Sequence, residues 1–173
     1  NYGGWNTSLG GLAILSQRLT SELNAPIRGY RFADAQDRTL LEEMATYIIN
    51  RDTALRTGQN ARAFRTGYAV TFLSLYQQTG GPDRIGTLTT VSQAIRNGVI
   101  ALKAVQGPPS GADDAVCNLG GWNSFRPQND GDAYATAEAL GGLSIAQDLV
   151  VDATSTFDRT SRFIDQLLTE MDG

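Results

Sequence analysis

The chain predicts an all-α fold, with about six helices paired as three αα-hairpins in a short α/α arc or partial toroid. Three observations lead there. Apolar residues recur at helical spacing in six stretches, no run alternates as a half-buried strand does, and four short words recur in one order. Tyr2-Gly-Gly-Trp-Asn6 is echoed by Leu119-Gly-Gly-Trp-Asn123, and Leu9-Gly-Gly-Leu-Ala-Ile14 by Leu140-Gly-Gly-Leu-Ser-Ile145. Asp37-Arg-Thr39 returns at Asp158, and Leu40-Leu-Glu-Glu-Met44 returns as Leu167-Leu-Thr-Glu-Met171, the four offsets being 117, 131, 121 and 127 residues. Ordered offsets imply an internal duplication with insertions, approximately 2–44 and 119–171, inside one helical-repeat domain spanning 1–173. A hairpin with one apolar face per helix cannot bury that face alone, so repeated hairpins stack.

The first helix is expected from Leu9 through Leu12, Leu15, Leu19 and Leu23, behind capping candidates Thr7 and Ser8. A second runs from about Asp37 to Asn50, with Leu40, Leu41, Met44, Tyr47 and Ile48 on one face and Thr39 with Glu42 as a capping box. The third, about 60–78, carries Phe64, Tyr68, Phe72 and Leu75 and stops at Gly80-Gly-Pro82. The fourth has the cleanest period, Leu88, Val91, Ile95, Val99 and Leu102, and ends at Gly107-Pro-Pro109. A fifth is expected from about Asp132 to Val151, and a sixth carries Phe157, Ile164, Leu168 and Met171.

Five Gly-Gly pairs punctuate this order. Those at 3–4, 80–81 and 120–121 are expected between helices, and those at 10–11 and 141–142 inside them. Glycine inside a helix costs about 1 kcal/mol against alanine. Two such pairs at matching repeat positions therefore predict close helix–helix approach. The irregular stretch from Gly107 to Asp130 reads as an inserted loop of the kind that carries function.

Composition narrows the chemistry. The chain has 173 residues, 41% of them hydrophobic and 18% charged, enough for one real core. No segment approaches the roughly 20 apolar residues of a membrane span. Thirteen arginines and one lysine face thirteen aspartates and five glutamates, for a net charge of −4. That balance argues against general binding to nucleic acid or anionic membrane. There is no histidine, so the commonest general base and zinc ligand is missing. A single cysteine, Cys117, cannot form an internal disulfide and has no base near it in sequence. Starting at Asn1 without a Met or a leader-like stretch, the chain reads as a processed form or an excised piece. The compartment is not readable from the N-terminus, with extracellular placed slightly ahead of cytoplasmic.

Tyr68-Ala-Val-Thr-Phe-Leu-Ser-Leu75, then Ile95 to Gln106, then Gly120-Gly-Trp122, resembles the repeat of the α/α-toroid families. These are the prenyltransferases, the squalene and hopene cyclases and the thioester domains of complement-like proteins. The likeness covers roughly residues 60–171 and, more loosely, 2–50. It implies hairpins of one inner and one outer helix, with Ala133, Ala135, Ala137 and Ala139 letting inner helices converge. It also implies a site. Terpene cyclases of this type start an inner helix with Asp-x-Asp-Asp, and Asp130-Gly-Asp132 falls at that place, making Asp132 the general acid with Asp130 beside it. The last Asp of that pattern is Ala133 here. The zinc ligands of protein prenyltransferases include a histidine that this chain lacks, and Cys117 is followed by Asn-Leu-Gly rather than the Gly-Glu-Gln of a thioester.

Other constellations compete with plain structural roles. Trp5-Asn6 and Trp122-Asn123 pair an aromatic face with an amide, as a sugar-binding platform does, but also suit turn anchors. Arg51, Arg56, Arg62 and Arg65 form a basic cluster that leaves a phosphate or carboxylate partner open, nucleic acid included, although Asp52 and the acidic balance favour ordinary surface salt bridges. Glu42-Glu43 and Asp113-Asp114 are further candidate carboxylates. Asp113, Asp114, Asn129, Asp130 and Asp132 could collect a hard cation such as calcium but have no EF-hand spacing; no metal and no cofactor are expected.

The expectation is a non-enzymatic structural repeat protein whose partner is itself. Met171-Asp-Gly173 followed by Asn1-Tyr-Gly-Gly-Trp5 would reproduce Cys117-Asn-Leu-Gly-Gly-Trp122, so copies are expected to join head to tail in a ring or filament. The alternatives are a toroid-type enzyme domain, cyclase-like or acting on polysaccharide, with Asp132 as acid, and a carbohydrate-binding module using the Trp-Asn words.

Overall fold

A computed structural model describes residues 3–22, 24–107, 121–122, 133–147 and 149. Among them are six helices and one isolated antiparallel bridge, Arg18 with Ile27. The all-α class therefore holds. The helices are α1 (Gly3–Leu15), α2 (Ala35–Arg51), α3 (Thr53–Thr57), α4 (Ala63–Gln78), α5 (Val91–Ala104) and α6 (Ala133–Ala146). The expected sixth helix at 157–171 lies outside the described residues, and so does most of the loop at 107–130.

α4 is the hub. Near its start Phe64 meets Trp5 of α1 on one side and Tyr134 of α6 on the other, with ring centroids at 5.6 and 4.9 Å. Further along, Phe72 faces Gly11, and Gln78 donates to the Ile145 carbonyl at 2.7 Å. Contacts advance in step along all three helices, so α1, α4 and α6 run parallel, side by side. α2 and α5 run the other way. The chain entering α2 meets the far end of α4 through Tyr30 and Tyr76, whereas its last residue, Arg51, accepts from Arg65 at the near end. α5 begins against Gln77 through Ser92 and crosses Val70 at Gly98. Among the described residues α2 packs on α1 and α5 on α4.

The row is close-packed at its glycines. A methyl on Gly67 would lie 2.5 Å from the Glu138 carbonyl oxygen, and one on Gly142 would lie 2.7 Å from that of Gly67. One on Gly11 would enter the buried Phe72 ring. The expected close approach at both Leu-Gly-Gly-Leu words is present, and in each word the second glycine makes it. Behind the row, Leu41, Ile48, Leu55, Leu73, Ile95 and Leu102 are fully or almost fully buried.

Several expectations are corrected. α1 starts at Gly3, not behind Ser8, and ends at Leu15, not near Leu23. The Leu19 amide pairs with the Pro26 carbonyl and the Arg28 amide with the Gln17 carbonyl, so the chain folds back on itself and the leucine period outruns the helix. Gly3-Gly4 is thus helical rather than a turn, while Gly121-Trp122 is outside any helix. One word takes two conformations. α2 begins two residues early because the Asp34 carboxylate caps the Asp37 amide at 2.9 Å, and Thr39, the expected cap, lies inside the helix and bonds back to the Ala35 carbonyl. The Asp52 side chain caps the Ala54 amide and starts α3, a helix the period did not reveal. α5 starts at Val91 behind Thr90, which leaves Leu88 fully exposed. On α2 the buried stripe is Leu41, Ala45, Ile48 and Ile49, with Leu40 and Tyr47 turned outward.

Candidate functional site

The N-terminal ends of α1, α4 and α6 share one end of the molecule, and two side-chain groups gather there. The first is aromatic. Phe64 is ringed by Trp5, Tyr68 and Tyr134, the Tyr68 ring standing edge-on at 5.1 Å. The Tyr68 hydroxyl donates to Glu138 at 2.7 Å and lies 3.3 Å from that of Tyr134. Burial, then the neighbouring Tyr134 hydroxyl and Glu138 carboxylate, raises the Tyr68 phenol above its ordinary range, so it stays a donor. Tyr134 is half-exposed and Asn6 exposed.

The second group is basic. Arg51, Asp52, Thr53, Asn60, Arg62 and Arg65 line a cavity of about 360 Å³ where the end of α2, the α3–α4 turn and the start of α4 meet. The backbone builds it from three local choices. Asp52 ends α2 and caps α3, Gly58 closes α3 in the left-handed region, and Asn60 continues the turn with φ 58°. Arg65 is held from within, its Nη2 donating to the Arg51 carbonyl at 2.9 Å and its Nε lying 3.5 Å from Asp52 Oδ2. The Arg51 guanidinium stands 5.5 Å over the Tyr47 ring. Burial pushes the Asp52 carboxyl above its ordinary value, against the lowering pull of Arg65 and the Ala54 amide.

Three of the four arginines singled out from sequence are therefore brought together. Arg56 is not in the lining and contacts Thr53 on the exposed side of α3. The Trp-Asn words separate. Trp122 is buried, its Nε1 donating to the Leu102 carbonyl at 2.8 Å and its amide to Thr136 Oγ1 at 2.9 Å, so it ties α5 to α6 and offers no face to solvent. Trp5 is partly buried against Phe64. Asn123, Asp130, Asp132, Asp113, Asp114 and Cys117 lie outside the described residues. Glu42 and Glu43 line a groove on α2, where Glu42 accepts from the Tyr30 hydroxyl. Among the described residues no cluster of three metal-ligating side chains occurs.

No known family, curated protein or solved structure matches the chain. Function has to be read from the molecule's own surfaces. Sequence reasoning missed Tyr134 and Glu138 as partners of Tyr68, because their meeting depends on helices 70 residues apart running parallel. It also missed Asp52 as the cap that starts α3. The Asp-Thr pair at a helix end was the available signal, since Asp is a strong N-cap.

Proposed function

We propose that this chain is a non-enzymatic structural repeat module that assembles head to tail with copies of itself, the helix row continuing from one copy into the next as an arc, ring or filament. The observation that carries the reading is the character of the two outer helices of the row. α1 has no charged residue among its 13 and α6 has only Glu138 among its 14, yet among the described residues α1 packs mainly on α4 and α2, and α6 mainly on α4 with a smaller contact to α5. Gly4 and Gly11 of α1 face α4, Gly10 faces Met44 of α2, and Leu12 and Ile14 pack on the core, while Leu9 stays partly exposed and Ala13 exposed. α6 leaves Ala133, Ala137, Gly141 and Ser144 exposed, a stripe as small as the one it presents to α4. A surface helix normally turns a charged face to water, and a helix apolar all round is normally covered.

A second copy is the occupant the geometry suits. The same Leu-Gly-Gly-Leu word docks on opposite sides of α4, in α1 and in α6, with the same parallel polarity. An α1 from another copy laid along α6 would repeat that step, which makes the contact heterologous and the assembly open or cyclic. Light scattering across a concentration series tests it. Mass is expected to rise with concentration, and Ser144→Arg, which places a guanidinium on the exposed stripe, is expected to hold the chain at its monomer mass. A constant monomer mass in the unmodified chain would overturn the proposal.

A further inference from the structure

We propose that the aromatic group shared by α1, α4 and α6 binds a small quaternary ammonium ion, held by ring faces and by the Glu138 carboxylate. Every residue of the site belongs to one copy of the chain, so it does not depend on assembly.

Placement comes first. α4 leaves one stripe partly exposed, running through Phe64, Tyr68, Thr71 and Leu75, and its two rings reach the surface one turn apart. Trp5 of α1, partly exposed, flanks Phe64 with ring centroids at 5.6 Å, and Tyr134 of α6, 54% exposed, flanks it at 4.9 Å. Four rings from three helices thus form one aromatic surface. The chain buries Phe72, Tyr76 and Trp122 almost completely, so it has room in its core for aromatic side chains. These four stay at the surface together, as binding surfaces do.

Charge comes second. Glu138 stands one turn along α6 from Tyr134 and is the only charged residue of that helix. Its carboxylate accepts from the Tyr68 hydroxyl at 2.7 Å, and among the described residues no Arg or Lys lies within 4 Å of it. The Tyr68 hydroxyl lies 3.3 Å from that of Tyr134, so two phenols and one carboxylate make a polar edge to the aromatic surface. A carboxylate beside hydrocarbon rings gives up solvation, and here no neighbouring cation offsets the loss. An organic cation laid over the rings would offset it. The faces of Trp, Tyr and Phe are themselves negative and attract the same charge.

The kind of cation follows from the hydrogen bonds it would need. A primary ammonium or a guanidinium carries several N–H donors, and each needs an acceptor when it leaves water. The site offers one carboxylate already bonded to Tyr68, two phenol oxygens, and otherwise ring faces. A quaternary ammonium brings no N–H and presents its charge through methyl groups, which pack on rings. A neutral sugar would stack on the rings but leave the carboxylate without a counter-charge.

The test is isothermal titration of the full chain, at fixed low ionic strength, with tetramethylammonium, methylammonium, guanidinium and methyl glucoside. Tetramethylammonium is expected to bind on the order of tenfold more tightly than each of the others. Tyr134→Ala, at an exposed position, is expected to weaken that binding about fivefold, whereas Tyr134→Phe, which keeps the ring and drops the hydroxyl, is expected to retain it. Glu138→Gln, whose amide oxygen still accepts from Tyr68, is expected to weaken it about tenfold while the melting temperature holds. No binding of tetramethylammonium would overturn the site. So would equal or tighter binding of methylammonium, guanidinium or the glucoside, or parent affinity in the folded Tyr134→Ala or Glu138→Gln chain. A Tyr134→Phe chain as weak as Tyr134→Ala would overturn the ring contact.

Discussion

Two adjacent glycines on α6 should answer the same substitution with opposite signs. A methyl on Gly141 has only Thr71 Oγ1 within reach, at 4.0 Å, so Gly141→Ala gains helix propensity without a clash. The expected effect is a stabilisation of about 0.5–1 kcal/mol. A methyl on Gly142 would lie 2.7 Å from the Gly67 carbonyl oxygen, where ordinary contact begins at 3.4 Å. That atom is backbone, so relief requires α6 to move away from α4 and loosen their whole interface. Overpacking of this kind costs about 1–3 kcal/mol. The propensity gain of about 1 kcal/mol offsets part of it. The two variants should then differ by about 2 kcal/mol, or roughly 4–8 °C in Tm for a chain of this size. Thermal melts by circular dichroism read this directly. The pair in α1 should behave alike, with Gly10→Ala tolerated at 3.5 Å from Met44 Cε and Gly11→Ala driven into the buried Phe72 ring. If both members of a pair shift Tm in the same direction, the second glycine is not the point of helix contact and the parallel row is wrong.

Other outcomes follow from single contacts. Trp122→Phe should cost about 1–3 kcal/mol in chemical denaturation, since it removes the indole hydrogen bond to the Leu102 carbonyl, which keeps only the Val105 amide, and opens space between α5 and α6. Asp52→Asn keeps the cap on Ala54 but removes a carboxyl whose folded value is raised by burial. A raised carboxyl adds stability in full below its ordinary 3.8 and loses it as pH rises through the folded value, so the variant should flatten that fall and be no less stable than the parent at neutral pH. Tyr30 is pushed up to about 12 by burial and by Glu42, so its contribution is present below the ordinary 10.0 and lost between 10 and 12. Tyr30→Phe should therefore blunt the alkaline loss of stability in pH-dependent melts.

The helical class was legible because period and punctuation agree along α5, where Val91, Ile95, Val99 and Leu102 are buried on the predicted face, whereas on α4 only Phe72 of the predicted stripe is buried and Phe64, Tyr68 and Leu75 are partly exposed. Boundaries were less so, because they are set by side-chain caps and long-range pairing that period does not encode. Asp34 outcompetes Thr39 as a cap, and the pairing of Leu19 with Pro26 stops α1 where the leucine spacing continues. The recurring Gly-Gly-Trp-Asn word misled for a related reason. Gly4-Trp5 is helical whereas Gly121-Trp122 lies outside any helix, with Trp122 held by Leu102 and Thr136 and Trp5 by Phe64. The Leu-Gly-Gly-Leu word carried the truer message, as its function is contact, and contact depends on size alone. Of the candidate residues, Arg51, Arg62 and Arg65 were findable because they are close in sequence, whereas Tyr68, Tyr134 and Glu138 required knowing which helices are neighbours.

Head-to-tail assembly predicts one contact that can be trapped covalently. If α1 of one copy lies along α6 of the next in the register α4 uses, Ala13 and Ser144, both exposed, come together between copies and never pair with themselves. With Cys117 replaced by serine, a chain bearing both Ala13→Cys and Ser144→Cys should form a ladder of disulfide-linked species under mild oxidation. Each single-cysteine chain should remain at monomer mass on a non-reducing gel. A double variant that stays monomeric, or single variants that cross-link equally well, would contradict the continued helix row.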